Sequence, residues 1–253
     1  MTTARAVVAL ILREMATTYG RSPGGYVWAI AEPVGAIAVL SVAFSIAFHA
    51  PSLGSNFPLF YATGYLPFMM YSDLAAKVAT SIRFSRPLLF YPRVTYIDAI
   101  IARWILNALT HMLVFAIVVS GIAVAYGVQL QIRFESVALS LFLAGMLGGS
   151  VGVMNCFMFM RFPLWERLWG IANRPLFIIS GVFFVFESIP DPYRGFLWYN
   201  PIVHLVGSMR HGLYPDYRAD YVSPAYVLGV SLVVLVVGLQ LLQRFHKELI
   251  NQR

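Results

Sequence analysis

Two lysines bound the nucleotide chemistry open to this chain. A phosphate-cradling loop follows a glycine-rich turn with Lys and then Ser or Thr, so that backbone amides and one ammonium hold the phosphates. Here Lys77 precedes Val78 and Lys247 precedes Glu248. ATP hydrolysis by that motif is therefore not expected of this polypeptide, and ATP-driven work requires a partner. The five histidines, His49, His111, His204, His211 and His246, are scattered, with neither the HExxH spacing of a zinc site nor a GxSxG nucleophile turn. His204 or His211 near Asp216 or Asp220 leaves one catalytic reading open, an intramembrane glycosyl or acyl transferase with imidazole as base. Histidines this dispersed more often serve packing. The single cysteine, Cys156, excludes an intrachain disulfide and a multi-cysteine metal site. No catalytic residue, metal ligand or cofactor of the chain's own is expected.

What remains is the chemistry of guanidinium groups, aromatic rings and one acid–base pair. Of 18 basic residues only two are lysines. In "RFSRPLLFYPRV", Arg83, Arg86 and Arg93 supply fixed charge, Pro87 and Pro92 restrict the backbone, and Leu88, Leu89, Phe90 and Tyr91 form an apolar knob. Such an element fits a groove of a partner, although the same arginines also serve topology. Arg13 and Arg21 suit a phosphate, which a guanidinium binds with two parallel hydrogen bonds. Tyr19, Trp28, Tyr61, Tyr65, Tyr71, Trp198 and Tyr199 offer flat apolar faces suited to sugar rings, or belt positions at a membrane interface. Asp73 and Lys77 stand i,i+4 in the acid-first order, so they are placed to pair on one helix face or to line a polar cavity.

The elements that position these groups are membrane helices. The chain of 253 residues is 59% hydrophobic and 11% charged, far below the roughly 25% charge of soluble folds. Its arginines fall at the ends of apolar runs, a topological pattern rather than the clustered face of a nucleic-acid binder. Ala29 to Phe48, Ile100 to Tyr126, Val137 to Met160 and Ala225 to Leu242 read as spans. Leu59 to Ile82 is a fifth of adequate length, and Leu176 to Phe186 a sixth that must borrow turns on either side. An even number of spans puts both ends on one side, and twelve cations against four make that side cytoplasmic. Residues 5 to 19 form an amphipathic stripe of Val7, Val8, Ile11, Leu12, Met15 and Tyr19, read as a helix in the interface. "YGRSPGG" then forms a hinge, and no signal-peptide cleavage pattern is present. In 187–223, short apolar islands broken by Pro190, Pro192, Pro201 and Pro215 fit either short re-entrant helices or an aromatic-anchored loop. "AGMLGGSVG" carries Gly145/Gly149 and Gly148/Gly152 at GxxxG spacing, a signature of close helix packing.

Three stretches, "LREMATTYGRSPGGYVWAIAEP", "SIRFSRPLLFYPRVTYIDAIIAR" and "YNPIVHLVGSMRHGLY", resemble, in order and over nearly the whole chain, the membrane subunit of type-2 ABC exporters. Among these the resemblance is to KpsM-type permeases of capsular polysaccharide export. It implies one all-α transmembrane domain over 1–253: an interfacial helix and hinge (1–25), five spans (26–186), a periplasmic or re-entrant segment (187–223), and a sixth span with cytoplasmic tail (224–253). It further implies a homodimer in the bacterial inner membrane, paired with two copies of an ABC ATPase that binds ATP and Mg, a periplasmic co-polymerase or adaptor, and a lipid-linked polysaccharide as cargo. Under it, Arg83, Arg86, Pro87, Phe90, Tyr91 and Arg93 become the ATPase contact. Arg13, Tyr19, Arg21 and Trp28 become the headgroup site, and Tyr61, Tyr65, Tyr71, Asp73, Trp198 and Tyr199 the translocation path. O-antigen, teichoic acid or a glycolipid is the alternative cargo.

Overall fold

In a computed structural model describing residues 2–19, 25–89 and 94–251, every regular element among the described residues is helical. The helices are α1 (Thr2–Glu14, continued by a π turn Met15–Tyr19), α2 (Gly25–Ala47), α3 (Phe57–Ala79), α4 (Ser81–Ser85), α5 (Tyr96–Tyr126), α6 (Phe134–Arg161), α7 (Pro163–Ile179), α8 (Tyr193–Trp198), α9 (Pro201–Leu213) and α10 (Pro224–Asn251). In lipid the backbone must satisfy itself, and a helix does so within one segment. Local signals mark the ends. The Asn56 side chain accepts from the Leu59 amide to cap α3, Thr95 and Asp98 form a reciprocal capping box on α5, and Gly127 closes α5 in the left-handed region at φ 62°.

Among the described residues, four stretches are long and apolar enough to cross a bilayer: Val27–Ala47, Tyr96–Tyr126, Phe134–Arg161 and Pro224–Phe245. α3, with Asp73 and Lys77 lowering its hydropathy, is instead among the most buried helices, its core side chains including Phe60, Met70 and Leu74. The expected run Leu176 to Phe186 is corrected. α7 starts earlier, contains Pro175 and stops at Ile179; residues 180–185 leave the helix through Gly181 at φ 79°. At 1.5 Å per residue α7 is about 25 Å long, short of a hydrocarbon core of about 30 Å.

α6 is the hub, packed by α3, α10, α9 and α7. Its glycines explain why. A Cβ at Gly148 would lie 2.7 Å from the Tyr71 carbonyl oxygen, and one at Gly152 would lie 2.6 Å from Val78 Cβ, so α3 and α6 meet nearly backbone to backbone. Gly145 and Gly149 form a second seat, occupied by Trp104 of α5, whose Nε1 donates to the Gly145 carbonyl at 2.8 Å. Both GxxxG pairs thus serve packing within the subunit. Gly148→Leu is expected to destabilise the protein by at least the roughly 1–3 kcal/mol of an overpacked core, read as a lower thermal midpoint in detergent. Gly229→Ala, with open space around the new Cβ, should leave the midpoint unchanged.

Candidate functional site

The end of the bundle that carries α1 and α4 holds most of the arginines, and its geometry starts from one of them. Arg103, on α5, is 6% exposed. Its Nε donates to Glu14 of α1 at 2.8 Å, and its Nη1 donates to the Lys77 carbonyl at 2.9 Å and to Thr80 Oγ1 at 2.8 Å, at the end of α3. The guanidinium also lies 4.2 Å from the ring centre of Phe84 in α4. One side chain therefore joins four helices. Burying both charges costs several kcal/mol per ion, which only close pairing and further hydrogen bonds offset; three acceptors and a ring face supply them here.

This junction also revises the amphipathic reading of α1. Val7 and Leu10 are buried against Ala102, with Ile11, Leu88, Val94 and Ile105 packed around them. The protein-facing stripe is thus Val7, Leu10 and Glu14, while Val8, Leu12 and Met15 stay exposed on the other side. A single-stripe reading missed Leu10 and Glu14 because the helix has two occupied faces.

The loop expected to contact a partner begins beside the junction. Arg83 meets Glu166 of α7 at 3.1 Å, both about half exposed, a pair worth at most about 1 kcal/mol. Arg86 and Pro87 form a short 3-10 turn that places Leu88 under α1. Arg13 lies 5.5 Å from the Phe84 ring centre, and its Nη1 is buried without a hydrogen-bond partner among the described residues. Arg21, Phe90, Tyr91 and Arg93 lie outside the described residues, as does the Tyr19 side chain.

A polar cavity of about 280 Å³ opens nearby between α2, α3 and α5. Trp28 and Glu32 come from α2, Asp73 and Lys77 from α3, and Asn107, Thr110 and His111 from α5. The anticipated Asp73–Lys77 pair does not form; Asp73 Oδ2 instead meets His111 Nε2 at 3.2 Å. Trp28 and Asp73, assigned separate roles on the sequence, line one cavity. Tyr65 stands near Glu32 and Asp73 and meets Phe177 edge-on at 6.0 Å. Tyr61 and Tyr71, by contrast, are 2% and 3% exposed and give a ligand no surface.

At the opposite end, Trp198 donates to the Tyr221 carbonyl at 3.0 Å and packs on Tyr226, and Tyr199 is exposed. Trp198 is therefore held as packing, far along the bundle from Trp28 and Asp73. Both candidate bases are also accounted for. His204 Nε2 bonds the Trp198 carbonyl at 2.9 Å while Nδ1 accepts from the Ser223 amide at 3.2 Å. His211 lies between the Tyr217 carbonyl and Arg133. Neither pairs with Asp216 or Asp220 among the ion pairs formed by described residues. Arg210 of α9 is almost wholly buried. Its Nη1 donates to the Phe184 carbonyl at 2.6 Å and its Nη2 to the Val182 carbonyl at 3.1 Å, and the guanidinium lies 4.4 Å from the Phe60 ring centre. Glu187 accepts from the Tyr217 hydroxyl at 3.0 Å. Burial pushes the neighbouring Tyr221 phenol up to about 12, so this phenol does not titrate near neutrality.

Sequence reasoning missed Glu14, Glu32, Arg103, His111 and Arg210. Glu32, Arg103 and His111 did carry a signal, being ionisable groups inside apolar helices, where such residues face a partner or a cavity. Arg210, one of the four cations set against twelve, carries no site signal in the sequence. Glu14 gave none, because its partner stands 89 residues away.

Apolar spans and an arginine-bound junction of four helices describe a helical membrane protein, and the family match makes it a transport subunit. Residues 5–214 match the ABC-2 type transporter family, and the chain belongs to it. It is 32% identical over 236 residues to the polysialic acid transport protein KpsM of Escherichia coli, covering 93% of this chain and 91% of that one. It is 26% identical over 244 residues to the capsule polysaccharide export inner-membrane protein CtrC of Neisseria meningitidis serogroup A, covering 96% and 92%. To the corresponding protein BexB of Haemophilus influenzae it is 24% identical over 243 residues, covering 96% and 92%.

Proposed function

We propose that this chain is the permease of an ABC exporter that moves lipid-linked capsular polysaccharide across the bacterial inner membrane. Two copies of it would pair with two copies of a separate ATPase that binds ATP and Mg, and a periplasmic adaptor would receive the glycan. The junction of α1, α3, α4 and α5 around Arg103 carries this reading, because force applied at α4 reaches three longer helices through one guanidinium. Relatives whose names specify capsule export, aligned over more than nine tenths of the chain, support the cargo.

In this reading the chain crosses the membrane six times with both termini cytoplasmic, α7 tilting or ending below the outer surface, and α8 and α9 re-entering from the outer side. The burial of α9 against α6 and α3 supports the latter, since non-spanning backbone at membrane depth must be covered by protein. Arg83, Arg86, Pro87, Phe90, Tyr91 and Arg93 contact the ATPase. Arg13, Tyr19, Arg21 and Trp28 meet the lipid headgroup, and Tyr65, Asp73 and Tyr199 border the path. Arg86→Glu combined with Arg93→Glu should abolish co-purification of the ATPase while the chain still inserts in the membrane. Undiminished pairing would sink the docking assignment, and surface glycan of O-antigen or teichoic type failing to appear in a deletion strain, with capsule unaffected, would reassign the cargo.

A further inference from the structure

One imidazole lines the polar cavity between α2, α3 and α5, and an imidazole is the side chain whose charge changes near neutral pH. Arg103, Asn107 and His111 recur at i, i+4 and i+8 on one face of α5. The two outer members reach α3. Arg103 Nη1 donates to the Lys77 carbonyl at 2.9 Å, and His111 Nε2 lies 3.2 Å from Asp73 Oδ2. The seam between these helices thus has two polar rungs about 12 Å apart along α5, one fixed in charge and one titratable. An ionised carboxylate only accepts, so Nε2 keeps its hydrogen in either state and the proton that comes and goes is on Nδ1. Thr110 Oγ1 donates within α5 to the Leu106 carbonyl and Asn107 Nδ2 to the Arg103 carbonyl. The imidazole is therefore the α5 side chain that meets Asp73.

We infer that His111 is a proton-operated latch between α3 and α5, closed as imidazolium on Asp73 and loosened when the ring is neutral. The latch stands on this geometry, and its consequence for transport rests on the permease reading above. The charged and titratable groups around the ring are Glu32 on α2, and Asp73, Lys77 and the Tyr65 phenol on α3. Beyond them stand the Arg103–Glu14 pair toward the basic end, and Arg174 of α7, which follows the Asn173 that donates to Ser72. Within the cavity two carboxylates face one ammonium, so an imidazolium balances the charges and a neutral ring leaves one negative charge over. A charge-assisted hydrogen bond is roughly twice as strong as a neutral one. Loss of the proton therefore weakens this rung and leaves the Arg103 rung intact. The cavity begins at Gly25, the first residue of α2, and passes the exposed Lys77, so protons reach it from the basic end. The side chains of His111 and Asp73 are 13% and 39% exposed, a pair open to protons yet less screened than one on the surface. The stabilisation is present while the ring is protonated and is lost as pH rises past neutrality. With the latch closed, a push arriving through Arg103 moves α3 and α5 together; with it loosened, α3 shifts on one rung. Rising pH on the basic side thus lowers the glycan exported per ATP that the partner hydrolyses.

A cysteine placed in the cavity reports the latch. Met69→Cys, which lines the cavity, is introduced into a Cys156→Ala chain purified with its ATPase in nanodiscs. It is reacted with a small methanethiosulfonate between about pH 6 and 8.5. Each rate is divided by that of the same reporter carrying His111→Lys, whose charge is fixed over this range, so the ionisation of the thiol cancels. The ratio is expected to rise roughly five-fold from the acid to the alkaline end, and His111→Gln should give the high value at both. Asp73→Asn should match His111→Gln, and combining the two should add nothing, as for the partners of one contact. A ratio flat with pH, or His111→Gln reacting as slowly as the parent at the acid end, overturns the latch. Should His111→Lys not fold, the thermal midpoint decides: it should fall more with rising pH in the parent than in His111→Gln, and equal falls overturn the inference as well. Export of lipid-linked glycan isolated from the same cells, per ATP hydrolysed, should drop several-fold over the range in the parent and stay flat in His111→Gln; a flat parent overturns the role in coupling. Co-purification of the ATPase is read on the same variants, so a failed latch and a failed exporter assignment are told apart.

Discussion

Arg103→Ala is expected to eliminate export and to destabilise the basic end of the bundle by about 3–5 kcal/mol, the cost of stranding one partner of a buried ion pair. Without the guanidinium, Glu14 is left at 6% exposure with no counter-charge, and the Lys77 carbonyl and Thr80 hydroxyl lose a donor. Arg103→Lys should rescue little, because one ammonium lacks the planar fork that reaches Glu14 and the end of α3 together. A paired replacement separates fold from coupling. Glu14→Leu with Arg103→Met removes both charges and restores apolar packing, so the thermal midpoint should return close to that of the parent chain. Export should stay low and ATP hydrolysis should persist, because α1 and α3 are no longer tied through a directional contact. Parent-like export in that pair would reduce Arg103 to a structural role.

Arg210→Met should have the second largest effect, at the opposite end. Segment 180–185 leaves the helical pattern, and its Val182 and Phe184 carbonyls are met by one guanidinium. Methionine fills much of the volume but donates nothing, and each buried carbonyl left unmet costs about 1–3 kcal/mol. The expected result is a loss of several kcal/mol together with new protease or thiol-label access at residues 182–186. The Phe184→Cys variant, reacted from the outer side with a membrane-impermeant reagent, reports it. If adding Arg210→Met leaves that labelling unchanged, the segment is held by other contacts. Arg210→Lys should recover part of the stability, reaching one carbonyl but not both.

How much was legible beforehand differs between the two ends. The arginine-rich loop after α4 stood out because Arg83, Arg86 and Pro87 concentrate charge and rigidity in a few residues. The Gly148/Gly152 seat was equally visible, since only a missing Cβ lets helices approach so closely. Arg103 and Glu32 were visible as charges inside apolar runs yet carried no address, and Asp73 was matched to the wrong partner. An i,i+4 neighbour is the only partner that spacing along one helix can nominate, whereas His111 reaches Asp73 from a different helix.

The sequence by itself determined that the chain is an all-helical membrane protein, because hydropathy and arginine placement are one-dimensional facts. Only the tertiary structure decided that Glu14 and Arg103 meet and that α7 stops at Ile179. Those depend on which faces of separate helices come together. Pairings such as Asp73 with His111 and Glu14 with Arg103 join side chains 38 and 89 residues apart, and they are settled by shape and desolvation across the whole bundle rather than by any local pattern.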